Sequence, residues 1–169
     1  MEPIRIRPIR PTDAAGLEAF YRELGDESRR LRFFGVTAGL SGTQSTRFCS
    51  TDHAHREGFV ATIREPGRPH GERIVGHVCL EPAGPGRAEV AIAVSDAVQR
   101  QGIGTSLMRA AIGWARRHRI STLSATMLPT NPAIHGLLRS LGLPARSRPT
   151  ELGTIALDLA VDPGPALAA

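Results

Sequence analysis

The stretch "AEVAIAVSDAVQRQGIGTSLMRAAIGWARR", residues 88–117, changes its hydrophobic period once, and that change sets the fold. Over 88–94 apolar and other side chains alternate, as in a strand with two unlike faces. From Gly104 onward Leu107, Ala110, Ala111, Trp114 and Ala115 recur at helical spacing, with Arg109, Arg116 and Arg117 on other faces. Between them lie Gly102 and Gly104. A helix start offers unpaired N–H groups and partial positive charge. Glycines at such a start let a phosphate come close to the backbone. Gln99-Arg100-Gln101-Gly102-Ile103-Gly104 adds one cationic side chain to that place. A pyrophosphate fits it.

Other phosphate-binding patterns fail on inspection. A P-loop needs a Lys after its second glycine, and the chain contains no Lys. A dinucleotide fingerprint needs a third glycine where Leu107 stands, and an acid after the next strand, where 121–128 supplies none.

The flanks complete one α/β pattern. Ile4, Ile6 and Ile9 mark a first strand, placed at an edge by Pro8 and Pro11. Residues 11–24 read as a helix with Thr12 as N-cap, 26–35 as a second helix ending at Gly35, and 41–50 as a third. Strands at 58–64, 73–81 and 88–94 are joined by turn-rich loops and read as three sequential antiparallel strands. After the long helix come a strand (121–128), a helix (131–143), a loop containing "PARSRPTELG" and a last strand (153–161). One domain over 1–161 is expected, with a frayed tail over 162–169.

Composition narrows the function. The chain has 169 residues, net charge +5 and 4% aromatic residues. Its arginines are scattered and a stacking platform is missing, which argues against nucleic acid and for a basic rim suited to an anionic ligand. No apolar run reaches the ~18 residues of a membrane span, and the charged start is unlike a secretory signal. A cytoplasmic location is expected. Cys49 and Cys79 have no metal spacing, and His53 and His55 lack a third ligand, so no metal is expected.

The (Gln/Arg)-x-x-Gly-x-Gly pattern at Gln99–Gly104, with a strand before it and a Leu-bearing helix after it, resembles the acyl-coenzyme-A-binding motif of the GNAT superfamily of N-acetyltransferases. The element order over roughly 4–161 is similar too. "IRPIRPTDAAGLEAFYRELGDESRRLRFFG" (6–35), "DHAHREGFVA" (52–61) and "AEVAIAVSDAVQRQGIG" (88–104) resemble bacterial Pat-type protein lysine acetyltransferases most closely. The resemblance implies a mixed, mostly antiparallel sheet of six to seven strands, flanked by helices and split into a V that holds acetyl-CoA as co-substrate. Ile92, Ala93 and Val94 would meet the pantetheine arm. The N–H groups of Gln99, Arg100, Gln101, Gly102, Ile103, Gly104 and Thr105 would bind the pyrophosphate. Asn131 would contact the coenzyme or cap the helix before Pro132. GNAT proteins are often dimers, so a homodimer is the analogy.

Glu89 is the expected catalytic residue. An amine acceptor with the ordinary lysine pKa of ~10.4 must lose a proton before it attacks. A carboxylate in an apolar central strand is costly unless it is functional or wet. The alternative is a surface pair with Arg87. The position also matches the glutamate base of Pat-type enzymes. His77 is the reserve base, while Glu57 and Glu81 read as solvated. The Tyr that protonates the leaving thiolate in many GNAT enzymes is replaced by Leu138, leaving water as the acid. The expected activity is acetylation of a protein lysine. The alternatives are a small-molecule amine acceptor, such as a metabolite or antibiotic, or an acyl-CoA-binding regulatory module without turnover.

Overall fold

The alternating segment 88–94 becomes a central strand, paired with a neighbour on each side at its start and with Val90 buried under the long helix that follows. The computed structural model describes residues 3–34 and 39–161. In chain order its elements are β1 (Arg5–Pro8), α1 (Ala14–Glu23), α2 (Asp26–Phe33), α3 (Gly42–Cys49), β2 (Glu57–Arg64), β3 (Glu72–Pro82) and β4 (Arg87–Val94). Then follow α4 (Ile103–Arg117), β5 (Thr122–Met127), α5 (Pro132–Leu141), β6 (Ala145–Pro149) and β7 (Ile155–Ala160). One seven-stranded sheet runs in the order β1-β2-β3-β4-β5-β7-β6. Its neighbours are antiparallel except β4 and β5. Parallel neighbours need a crossover, and α4 supplies it.

The register of that parallel pair decides the architecture. Arg87, Ala88 and Glu89 oppose Thr122, Leu123 and Ser124, and there the pairing stops. β4 continues to Val94, still paired on its other side with β3 down to Gly76. The two strands therefore part after Glu89, and the sheet carries a V-shaped split.

Two apolar layers cover the sheet. Leu107, Met108, Ala111, Ile112, Trp114 and Ala115 of α4 pack on Val75, Val78, Leu80, Ala88, Val90 and Leu123. On the opposite face Leu17, Phe20, Tyr21, Leu24, Leu40 and Cys49 pack on Ile9, Val60 and Ile74. Gly76 lets α4 seat: a Cβ there would stand 2.9 Å from Leu107 Cδ1. Gly76→Ala should lower unfolding stability by about 1–3 kcal/mol through overpacking. Urea melts read this, and an unchanged midpoint would contradict the close approach.

The first strand is tied to the first helix by charge. Arg7 donates to both oxygens of Asp13 at 2.7 and 2.8 Å and to Glu72 at 3.0 Å. Burial pushes the Asp13 pKa up, but the bonds from Arg7 and from the Arg10 N–H outweigh it, and the net shift is downward. A depressed carboxyl pKa adds stability above the unfolded value, about 3.9, that is lost as pH falls toward the folded value. Stability should therefore decline below about pH 4, and Asp13→Asn should flatten that decline in urea melts at pH 5 and pH 3.

Three local expectations change. Asp13, not Thr12, stands at the N-cap of α1, without a side-chain capping bond, and a 3₁₀ turn (Pro11–Asp13) precedes the helix. α2 ends at Phe33, and Phe34 adopts the left-handed conformation; Gly35 lies outside the described residues, as does the tail 162–169. The expected loop at "PARSRPTELG" contains β6, exposed along its length and paired with β7. A strand with no buried face has no apolar alternation by which to be recognised.

Candidate active site

The split opens backbone groups that an intact sheet would use. Ser124 Oγ donates to the Ala88 carbonyl, and Gln99 Nε2 donates to the Val94 carbonyl at 3.0 Å, so both carbonyls point toward β5. Alternation along β4 turns the main-chain groups of Val90 and Ile92 the same way, into the gap. Ser95 N–H goes to Val75 of β3, which puts the odd-numbered residues on that side. Ala93 therefore presents its main chain to β3 and its methyl to the apolar layer under α1–α3. The free main chain at Val90 was not expected from the sequence, where alternation gives faces but not the point at which pairing ends.

At the wide end of the split the chain turns into α4. Gly102 has φ +81°, a conformation that favours glycine. The first α-helical bond is Ser106 N–H to Gly102 O, so Ile103, Gly104 and Thr105 have N–H groups free of the helix ladder. Arg100 is exposed, also at positive φ, and Gln101 is exposed beside it. Gly104 is different: a Cβ there would meet Leu137, Val94 and Ile92 at 3.8–3.9 Å, ordinary contact. Packing within the chain does not require a glycine there. Gln99 braces the turn from inside, and Asp96 locks it to the α1–α2 junction through Gly25 N–H (2.9 Å) and Ser28 Oγ (2.6 Å). Thr105 Oγ1 is engaged by Ser140 Oγ of α5 at 2.8 Å.

Asn131 precedes α5 without capping it, and its Oδ1 is buried with no hydrogen-bond partner. A buried unpaired amide oxygen is costly, so a donor from a ligand is the natural complement. Free N–H groups at a helix start, an unpaired strand edge, a spare volume at Gly104 and this orphaned oxygen together fit an extended ligand with a diphosphate and amides.

Glu89 stands where β4 and β5 part. Its carboxylate is exposed, and among the described residues none pairs with it. Arg87 turns away to Asp158 at 2.6 Å. Glu81, directly opposite Glu89 on β3, is half-buried and held by Arg56 through two bonds of 2.8 Å. Glu57 is buried and takes its own strand N–H and His53. Neither is the solvated carboxylate expected. His55 pairs with Asp52, so the two histidines serve separate acids.

His77 is not a usable base. It is fully buried, its Nδ1 lies 2.9 Å from the Tyr21 hydroxyl, and burial followed by the Arg32 charge pushes its pKa down to about 3. Burial pushes Tyr21 up to about 12. Leu138 lies half-buried in the α4 layer. Neither Tyr21 nor Leu138 offers a proton to the split.

The model of the acetyltransferase (GNAT) family matches residues 17–143. The chain belongs to the GNAT family. It is accordingly an acyltransferase, and acetyl-CoA is the donor that the family uses. The GNAT domain of S. lividans PAT is 30% identical, with 93% of this chain and 90% of that one covered at a TM-score of 0.79. Salmonella typhimurium yncA, solved with its cofactor acetyl-CoA, is 18% identical over 98% of both chains, with a TM-score of 0.72. A cAMP-binding acyltransferase from Mycobacterium smegmatis is 22% identical and has a TM-score of 0.58; this chain covers 44% of it. The last two likenesses show the shared GNAT fold. No helix among the described residues is long and apolar enough to cross a membrane.

Proposed function

We propose that this GNAT protein acetylates lysine side chains of proteins, with Glu89 as the general base. The observation that carries the reading is an exposed carboxylate, without an ionic partner, at the place where the parallel strands separate. The 30% identity to the S. lividans PAT domain supports the choice of a protein acceptor. When bound, acetyl-CoA supplies an acyl group activated as a thioester. Ile92 and Val90 would pair with its pantetheine arm through the main chain, Ala93 and Val94 would line it, and Asn131 would donate or accept at an amide. The N–H groups from Arg100 to Thr105, with the Arg100 side chain, would hold the diphosphate, while the Gln99 N–H already donates to the Asp96 carbonyl at 3.4 Å.

Glu89 has the simpler task of accepting the proton that a lysine ammonium must lose. Ala91 and Ala93 share its face and keep the approach open to an unbranched chain. A carboxylate accepts such a proton directly or through one water.

Incubating the purified protein with labelled acetyl-CoA and a cell lysate tests the assignment. Protein bands that carry label on lysine support it. Label confined to small amines moves the assignment to a small-molecule acceptor. Coenzyme binding with no transfer to either class would leave only a binding module.

A further inference from the structure

Among the described residues, Arg32 is a cation with no anion. It projects from α2, which packs over β4, and its Nη2 reaches Cys79 Sγ at 3.7 Å. Its guanidinium carbon lies 5.8 Å from the Tyr21 ring centre and 5.0 Å from that of Phe33. None of these is charged at neutral pH: burial pushes the Cys79 thiol up, and Tyr21 up to about 12. Its Nε is buried and meets no acceptor. Three arginines elsewhere in the chain differ. Arg7 has two carboxylates, while Arg56 and Arg87 have one each. Among the described residues, no carboxylate lies within ion-pair reach of Arg32.

A guanidinium withdrawn from water without an anion is a costly arrangement. Stacking on two rings recovers part of that cost. It leaves the planar fork, which suits a carboxylate, without its natural partner. Location supplies the rest. Cys79 pairs with Ala91, two residues along β4 from Glu89 and on the same face. The guanidinium therefore stands roughly 7 Å along the strand from the Glu89 position. Only the methyls of Ala91 and Ala93 rise from β4 on that face beyond Glu89.

We propose that Arg32 is a recognition site for a carboxylate carried by a substrate, seated on the face of β4 beside Glu89. This rests on the acetyltransferase reading above. The carboxylate has two chemical sources. One is an Asp or Glu side chain next to the acceptor lysine; the other is the far end of a dicarboxylic acyl thioester such as succinyl-CoA. In either case the amine nitrogen forms the new bond to the acyl carbon, the carbon–sulfur bond breaks with its electron pair on sulfur, and the amine proton passes to Glu89.

The full chain is assayed on lysine peptides carrying Glu or Gln beside the lysine, and with propionyl-CoA or succinyl-CoA. Competition of each thioester against labelled CoA reads binding without turnover. One carboxylate-bearing member should show a KM or Kd at least ~10-fold below that of its neutral partner, and Arg32→Gln should erase that preference. Arg32→Lys should keep part of it. The pair that discriminates identifies the source. Equal constants for both pairs overturn the proposal, as does a preference that survives in Arg32→Gln. If circular dichroism shows that variant unfolded, the wild-type pairs and Arg32→Lys decide. Failure of every peptide and lysate protein to accept an acyl group sinks the lysine reading instead. The thioester competition then judges Arg32 alone, and equal Kd values there count against it.

Discussion

Replacing Glu89 by Gln should lower kcat at least ~100-fold and leave coenzyme affinity intact. The amide keeps the size and hydrogen-bonding reach of the side chain but cannot take a proton at neutral pH. The carboxylate is exposed, and no described residue pairs with it, so the substitution breaks no salt bridge and the fold should be undisturbed. Loss of turnover can then be read as chemistry. Stopped-flow turnover and equilibrium binding of coenzyme, run on the same preparation, separate the two quantities. Equal kcat in variant and parent would remove Glu89 from the mechanism. A large loss of coenzyme binding would move it from the acceptor side to the donor side.

The second large effect belongs to Gly104. Its ideal Cβ would touch Leu137, Val94 and Ile92 only at 3.8–3.9 Å, so the isolated chain tolerates a methyl group there. Gly104→Ala should melt near the parent temperature yet bind CoA about 100-fold more weakly, a loss comparable to one or two charge-assisted hydrogen bonds. Gly102 makes the contrast. Its φ of +81° penalises any side chain whatever the space, so Gly102→Val should lose stability as well as affinity. Thermal melts and calorimetric titration with CoA read the two effects. Undiminished affinity in Gly104→Ala would show that the diphosphate sits elsewhere.

Much of this layout could be read from residues 88–117, and the reasons are local. Alternation located β4, the helical stripe located α4, and the glycines marked the junction. The family resemblance then offered that junction as the coenzyme loop. What escaped depends on contacts far apart in the chain. Arg87 chooses Asp158, 71 residues on, and nothing near Arg87 announces that partner. Alternation put His77 on the Glu89 face but could not show that α1–α3 seal that part of it. The "RRLRFFG" run reads as a basic helix end, and only the packing shows that one of its arginines turns inward while Arg30 pairs with Glu27 on the surface. Asn131 was open between a coenzyme contact and a helix cap; the helix starts without its help.

Three residue pairs are all the ladder that links the β1–β4 leaf to the β5–β7–β6 leaf. Elsewhere neighbouring strands share between four and eight. α4 spans that narrow seam like a strut, with few main-chain bonds joining the leaves beside Glu89. A molecule laid along the gap would touch both leaves at once and serve as the missing rung: catching the donor would also stiffen the floor on which the acceptor must land.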